Sequence, residues 1–439
     1  MPITHHEEIR RRIKDRYSAE AVAELIAFLS AQGALTLTPL STGLYPAADL
    51  DPLAAAQSGY GNVWVRDNVY VALALDKAGR RDDASRAVQQ LAGFYRNCRH
   101  RFEAIVEGRA DPSSPVNRPP VRFDGLNLAE LPNLAQAQND ALGYFLWFYC
   151  RLARAERFPP DVELLALFPL YFDAIRYWTD EDSGHWEERP KIEASSIGAV
   201  VAGLRELRKL LDLRPELLLA PGNLRGRKTV TSNFIDHLIA EGERALTHIL
   251  PAECVQPDPR KNRRYDSALL FLIYPLQVVD DAMTERIISD VVKNLQGEYG
   301  IRRYLKDSYW TADYKQKVPP ELRTAYVSDW HEERDALANP GEEAQWCIFD
   351  SIISVIAARR YKNSNDPTEL NRQINHLNRS LGQLTGTDRS EGALRCPEAY
   401  YLEQGRYVPN DHVPLLWTQA NLWLALLALK ETSEGLDRT

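Results

Sequence analysis

Apolar residues recur at helical spacing along most of the chain. In residues 7–31 they fall at Ile13, Tyr17, Ala21, Leu25 and Phe28, which predicts a helix there. Helices are predicted again from about Asp67 to Gly79, over 82–94, and in QAQNDALGYFLWFYCRLARAERF, DVELLALFPLYFDAIRYW and SSIGAVVAGLRELRKLL, the last opened by Ser195 or Ser196 as a capping residue. Further periodic runs cover 232–250, 265–276, 281–295, 342–358, 366–384 and 415–431. Alternating strand-type segments are scarce. Roughly a dozen helices at a pitch of about 35–40 residues describe a repeating helix-pair architecture.

No TPR, HEAT or ankyrin signature recurs at that pitch, so a closed ring of alternating helices is preferred to an open solenoid. Long connections hold the polar and aromatic clusters: residues 51–62, 107–132, 179–194, 302–332 and 385–411. The second of these carries five prolines, which argues against a regular element. Loops of this length usually carry function. Placed at one mouth of the ring, they would shape a single deep pocket, and no change of composition marks a second domain within 1–439.

Composition narrows the options. With 44% hydrophobic and 26% charged residues the chain is of ordinary soluble type. Fifty-three basic against 61 acidic residues give a net charge of −8, without the basic, aromatic-interleaved block of a nucleic-acid footprint. Five scattered cysteines form no CxxC or Cys/His cluster of zinc spacing, as reduced thiols of a cytoplasmic protein would be. No 18-residue uncharged apolar run could span a membrane. No cofactor or metal is expected.

Four constellations could carry chemistry. Asp182-Ser183-Gly184-His185-Trp186-Glu187-Glu188-Arg189 sets an indole beside adjacent carboxylates, an arrangement that can drive two acids to different protonation states. Adjacent glutamates are also what a solvated face presents. Trp64-Val65-Arg66-Asp67 places a donor-only and an acceptor-only group where a loop enters a helix. Such a pair can clamp vicinal hydroxyls, or simply satisfy a helix start. Arg302-Arg303 could hold a carboxylate or a sugar oxygen or belong to a surface cluster, and Glu398 stands alone among rings in CPEAYY, followed by PLLWTQA with Trp417. Two separated acids, a hydroxyl clamp and several rings are what glycosidic cleavage needs. HExxH, GxSxG and P-loop signatures are missing.

At these residues the chain resembles glycoside hydrolase family 15, the glucoamylase family, and more closely the amino-terminal domain of the phosphorylase kinase alpha and beta subunits. The matching pieces run in family order: GLYPA from Gly43, VWVRDNVY from Val63, AQAQNDALGYFLWF from Ala135, GHWEE from Gly184, ASSIGAVVAGL from Ala194, YDSALLFLIYPL from Tyr265, LQGEYGIRRYLKDSYW from Leu295, EEAQWCIFD from Glu342, CPEAYYL from Cys396 and PLLWTQANL from Pro414. The resemblance implies an all-α (α/α)6 barrel that cleaves α-glucosidic bonds with inversion and releases glucose from a carbohydrate substrate. By position, Glu187 matches the general acid and Glu398 the general base. Arg66 and Asp67 match the groups gripping the terminal glucose, and Glu188, Arg303, Trp64, Trp186 and Trp417 match other contacts of that pocket. Leu134 stands where glucoamylases carry a tryptophan, and Ala399 where a glutamine usually follows the base. With Val65, Ala399 leans towards the kinase-subunit type, so a non-catalytic glucan-binding regulator is the alternative.

Overall fold

Twelve helices build the ring in a computed structural model that describes residues 2–131, 137–222, 224, 229–323, 331–387 and 392–437. They are α1 (Ala19–Ala31), α2 (Val65–Lys77), α3 (Arg81–Asn97), α4 (Asn139–Arg154), α5 (Val162–Ile175), α6 (Ala194–Leu213), α7 (Ser232–Ile249), α8 (Leu269–Ile273), α9 (Asp281–Asn294), α10 (Phe349–Ser364), α11 (Pro367–Gly382) and α12 (Leu416–Leu436). The even-numbered helices pack each on the next, and α12 returns to pack on α2, which closes an inner ring. Each odd-numbered helix lies outside an inner one, α3 on α2, α11 on α10 and, across the ends of the chain, α1 on α12. This is the (α/α)6 barrel that the helix pattern and the family resemblance led us to expect.

The two rings read differently in sequence. Inner helix α2 is buried at every position from Val65 to Leu75, so it turns no face to solvent over that stretch. Outer helix α11 buries Ile374, Leu377 and Leu381 along one stripe and leaves charges on the other side, as an amphipathic surface helix does. The helix starts differ too. Ser18, Asp161, Thr231, Asp280 and Asp366 cap five outer helices through their side chains. None of the six inner helices has a side-chain cap.

Several boundaries differ from the periodicity. Residues 7–31 split into Glu7–Arg12 and α1, with Ser18 capping the second piece. Glu193, not Ser195 or Ser196, precedes α6; the two serines lie inside the helix, bonded to Glu253 and Asp182. The segment expected as helix from 342 begins only at Phe349, because Gln345–Trp346 pairs as a strand.

Two small antiparallel sheets hold loops at the end of the barrel where the inner helices begin. In one, β1 (Val63–Trp64) pairs with β2 (Arg122–Asp124), which pairs with β3 (Ala129–Glu130), so the proline-rich stretch does contain strands. In the other, β4 (Gln345–Trp346) pairs with β5 (Ala399–Glu403), followed by β6 (Arg406–Pro409). Their registers set Trp64 opposite Arg122, and Trp346 opposite Ala399 beside Glu398. An isolated bridge between Ala48 and Leu415 ties the early loop to the start of α12.

Candidate active site

The Asp182–Arg189 octet is a closed turn. Asp182 and Lys191 exchange backbone hydrogen bonds at 3.0 and 2.9 Å, and the Glu188 N–H donates to the Ser183 carbonyl at 3.0 Å. Gly184 adopts φ +54, and a Cβ there would sit 1.5 Å from a Glu193 carboxylate oxygen, so only glycine fits. Glu187 itself is left-handed, with φ +57. A side chain in that conformation is held by its surroundings, a pattern that clusters at functional sites.

Those surroundings are donors. Trp64 Nε1 donates to Glu187 Oε1 at 2.6 Å, Gln138 Nε2 donates to the same oxygen at 3.2 Å, and an Arg122 guanidinium nitrogen lies 3.0 Å from Oε2. The β1–β2 register therefore delivers both Trp64 and Arg122 to one carboxylate. The start of α4 supplies Gln138.

Glu398 is held as tightly. Tyr60 donates its hydroxyl to Oε1 at 2.8 Å, His412 Nδ1 lies 2.8 Å from Oε2, and Asn410 Nδ2 donates to Oε2. Burial alone would raise the proton affinity of this carboxyl; the charge and hydrogen bonds of His412, with the Tyr60 and Asn410 donors, outweigh burial and hold it below the usual glutamate range. The Tyr60 ring stacks on His412 at 3.5 Å and leans against Trp64 at 5.4 Å. A chain of contacts thus runs from one acid to the other: Glu398, Tyr60, Trp64, Glu187.

Both acids line one cavity of about 110 Å³. A water needs on the order of 10–15 Å³ by this measure, so the space admits several waters or a small polar group. Trp64, Arg66, Asp67, Trp186, Arg303 and Trp417 share its wall. Arg66 donates to Asp140 at 2.6 Å and to Gln138 at 3.2 Å, while its Nε is buried without a partner among the described residues. Trp346 and Trp417 likewise bury indole N–H groups without acceptors among the described residues.

Asp67 stands beside Arg66. Burial pushes its carboxyl up to about 7; Arg66 pulls it down, and the charges of Glu187 and Glu398 add to the rise. Arg303 forks onto Asp307 with two 2.6 Å bonds and lies over Trp186 and Trp346 at 5.2 and 4.9 Å. His185, also in the wall, is driven down to about 3 by burial, so its imidazole is neutral.

Eight of the nine residues singled out from sequence therefore meet at this cavity, and Glu188 does not. Its Oε2 bonds Lys191 at 2.8 Å and Arg263 at 2.6 Å, facing a neighbouring basic cleft, which corrects its expected place in the pocket. Those two cations and Arg303 overcome its burial and keep it ionised. Leu134 lies outside the described residues. Sequence reasoning missed Tyr60, Arg122, His412 and Asn410, which grip the acids. They sit in connections with no periodicity, and only the polar run Asn410-Asp411-His412 next to a proline gave a signal.

Comparisons with known proteins follow the same line. The family described as Glycosyl hydrolases family 15 matches residues 25–407. A probable phosphorylase b kinase regulatory subunit alpha from Drosophila melanogaster is 24% identical over 393 residues, 83% of this chain and 28% of that protein. The liver isoform of that subunit from Oryctolagus cuniculus is 26% identical over 289 residues, 59% of this chain and 22% of its own. The chain thus spans less than a third of these curated relatives. Among solved structures, a glycosidase in complex with glucose superposes with a TM-score of 0.63 at 17% identity, covering 94% of this chain and 100% of that one. The glucoamylase of Saccharomycopsis fibuligera gives 0.58 at 11%, covering 97% of each chain. The ring, the sheets that steer its loops and the match across residues 25–407 lead to one assignment: the chain belongs to glycosyl hydrolases family 15.

Proposed function

We propose that this protein hydrolyses α-glucosidic bonds with inversion, releasing glucose from the end of an α-glucan, an oligosaccharide or a small α-glucoside. The observation that carries this reading is that Glu187 and Glu398, remote in sequence, line one cavity together with Arg66, Asp67 and the rings of Trp64, Trp186 and Trp417. Glu187 would protonate the leaving oxygen and Glu398, kept ionised by its donors, would activate water from the opposite face. Arg66 and Asp67 would hold hydroxyls of the terminal ring, with Trp64, Trp186 and Trp417 against its apolar faces. Five buried free thiols fit work in the reducing cytoplasm.

Incubation of the purified protein with maltose, maltooligosaccharides, isomaltose, trehalose and small α-glucosides tests this directly. Glucose released as the β-anomer, and abolished by both Glu187→Gln and Glu398→Gln, is the expected result. Wild-type turnover in either variant overturns the roles.

A second reading rests on the curated relatives, whose names describe regulatory subunits, and on Ala399 after the base. There the same cavity binds a glucosyl end without cleaving it. Saturable binding of maltooligosaccharides with no glucose released by the wild type would select it.

A further inference from the structure

At the opposite end of the barrel, where the inner helices finish, α2, α4, α10, α12 and the segment after α8 enclose a second cavity, of about 370 Å³. This is the size of a small-ligand pocket. Four cations line it, Lys77, Arg151, Arg359 and Lys362, against a single acid, Glu431. That balance is unexpected in a chain with 61 acidic and 53 basic residues.

Among the described residues, no side chain of the four makes an ion pair or a hydrogen bond. Arg151 and Arg359 instead lie over the rings of Trp147 and Tyr274, at 4.9 and 5.7 Å. Both arginines are half-buried, whereas fully buried arginines elsewhere are matched to acids, as Arg118 is to Asp180 and Arg303 to Asp307. In the adjoining cavity, too, Arg154 and Lys209 share Glu206. Burial, with the nearby charge of Arg151, lowers the proton affinity of the Arg359 guanidinium despite a counter-pull from Tyr274. Cations at helix C-termini gain from the carbonyl ends, yet none of these four bonds to one. Two guanidinium groups and two lysines line one cavity with Glu431 as the single acid among the described lining residues, which leaves its wall net positive.

We infer that this rear cavity binds a phosphate-bearing small molecule, either inorganic phosphate or a phosphate monoester. Guanidinium forks match phosphate oxygens two at a time, and Lys77 and Lys362 at the exposed rim add point charges. Leu73, Val355, Leu424 and Leu427 give the remaining wall an apolar surface that an attached carbon skeleton would cover.

Calorimetric and thermal titration with inorganic phosphate and with a hexose 6-phosphate, at ionic strength fixed with sodium chloride, tests the assignment. The wild type should bind one of them saturably, with Tm raised by about 3 °C at a hundred times Kd. Arg151→Gln/Arg359→Gln should abolish this, and Lys362→Glu, an exposed change that spares the fold, should weaken it about ten-fold or more. Ten-fold tighter binding of the ester names phosphate monoesters as the ligand; equal binding names free phosphate. Absence of saturable binding, or affinity unchanged in both variants, overturns the proposal. None of these readouts involves sugar release, so the result stands apart from the chemistry of the front pocket.

Discussion

Tyr60 donates its hydroxyl to Glu398 at 2.8 Å while its ring lies flat on His412, the centroids 3.5 Å apart. One side chain therefore anchors both the carboxylate and the imidazole that shares it. Tyr60→Phe keeps the stack and removes one donor. The acid limb of the pH profile of sugar release should then move to higher pH, because the donor favours the ionised carboxylate. The maximal rate should fall roughly ten-fold, the worth of about 1.4 kcal/mol. An unchanged profile would show that Tyr60 does not set the base.

Asp67 and Glu193 have carboxyls raised to about 7, in both cases chiefly by burial. The folded protein therefore holds protons that the unfolded chain releases near pH 4. Stability from these groups is complete below the unfolded value and is lost as pH rises towards 7, by up to about 1.4 kcal/mol per pH unit for each group. Asp67→Asn should flatten the decline between pH 5 and 7, measured by denaturant unfolding. A slope identical to wild type would contradict the assigned environment.

Gly184→Ala puts a methyl group where Glu193 already lies, at a backbone angle that favours glycine. A cost of about 1–3 kcal/mol is expected from the strained angle alone, and the turn that aims Glu187 should loosen with it. Thermal unfolding and sugar release should both suffer. Gly79→Ala, also left-handed but with open space around it, should leave turnover intact.

Phe271 in α8 stacks on His185 and Trp417 at 4.8 and 5.6 Å and touches Trp186 at 6.2 Å. Phe271→Ala should cost about 3–5 kcal/mol for the cavity left behind. Binding of a glucosyl ligand should weaken in the same variant, because three wall residues lose their support. A variant destabilised yet binding normally would separate the core from the site.

Much of this molecule was legible in sequence, for a physical reason that also marks where legibility stopped. Outer helices such as α7 and α11 showed both an amphipathic stripe and a capping residue, so they were found almost to the residue. Inner helices are buried on every side over most of their length and start without side-chain caps, so their boundaries drifted. α8 shrank to Leu269–Ile273, and a capping role was expected of Ser195, which in fact binds Glu253. Glu187, Glu398, Arg66 and Asp67 were legible because motifs in family order pointed at them. Their partners were not, because Arg122 reaches Glu187 through a strand register and His412 reaches Glu398 through a hairpin. Neither has a local signal.

The bridge between Ala48 and Leu415, with α1 lying against α12, makes the barrel's seam a meeting of the chain's two ends. The wall of the pocket runs from Ala47 to Trp417 and so straddles that seam. Deleting the last helix would thus strip away Trp417 and unseat Arg66 at the same stroke. A shortened chain could keep many of its hairpins and still have no place for a sugar.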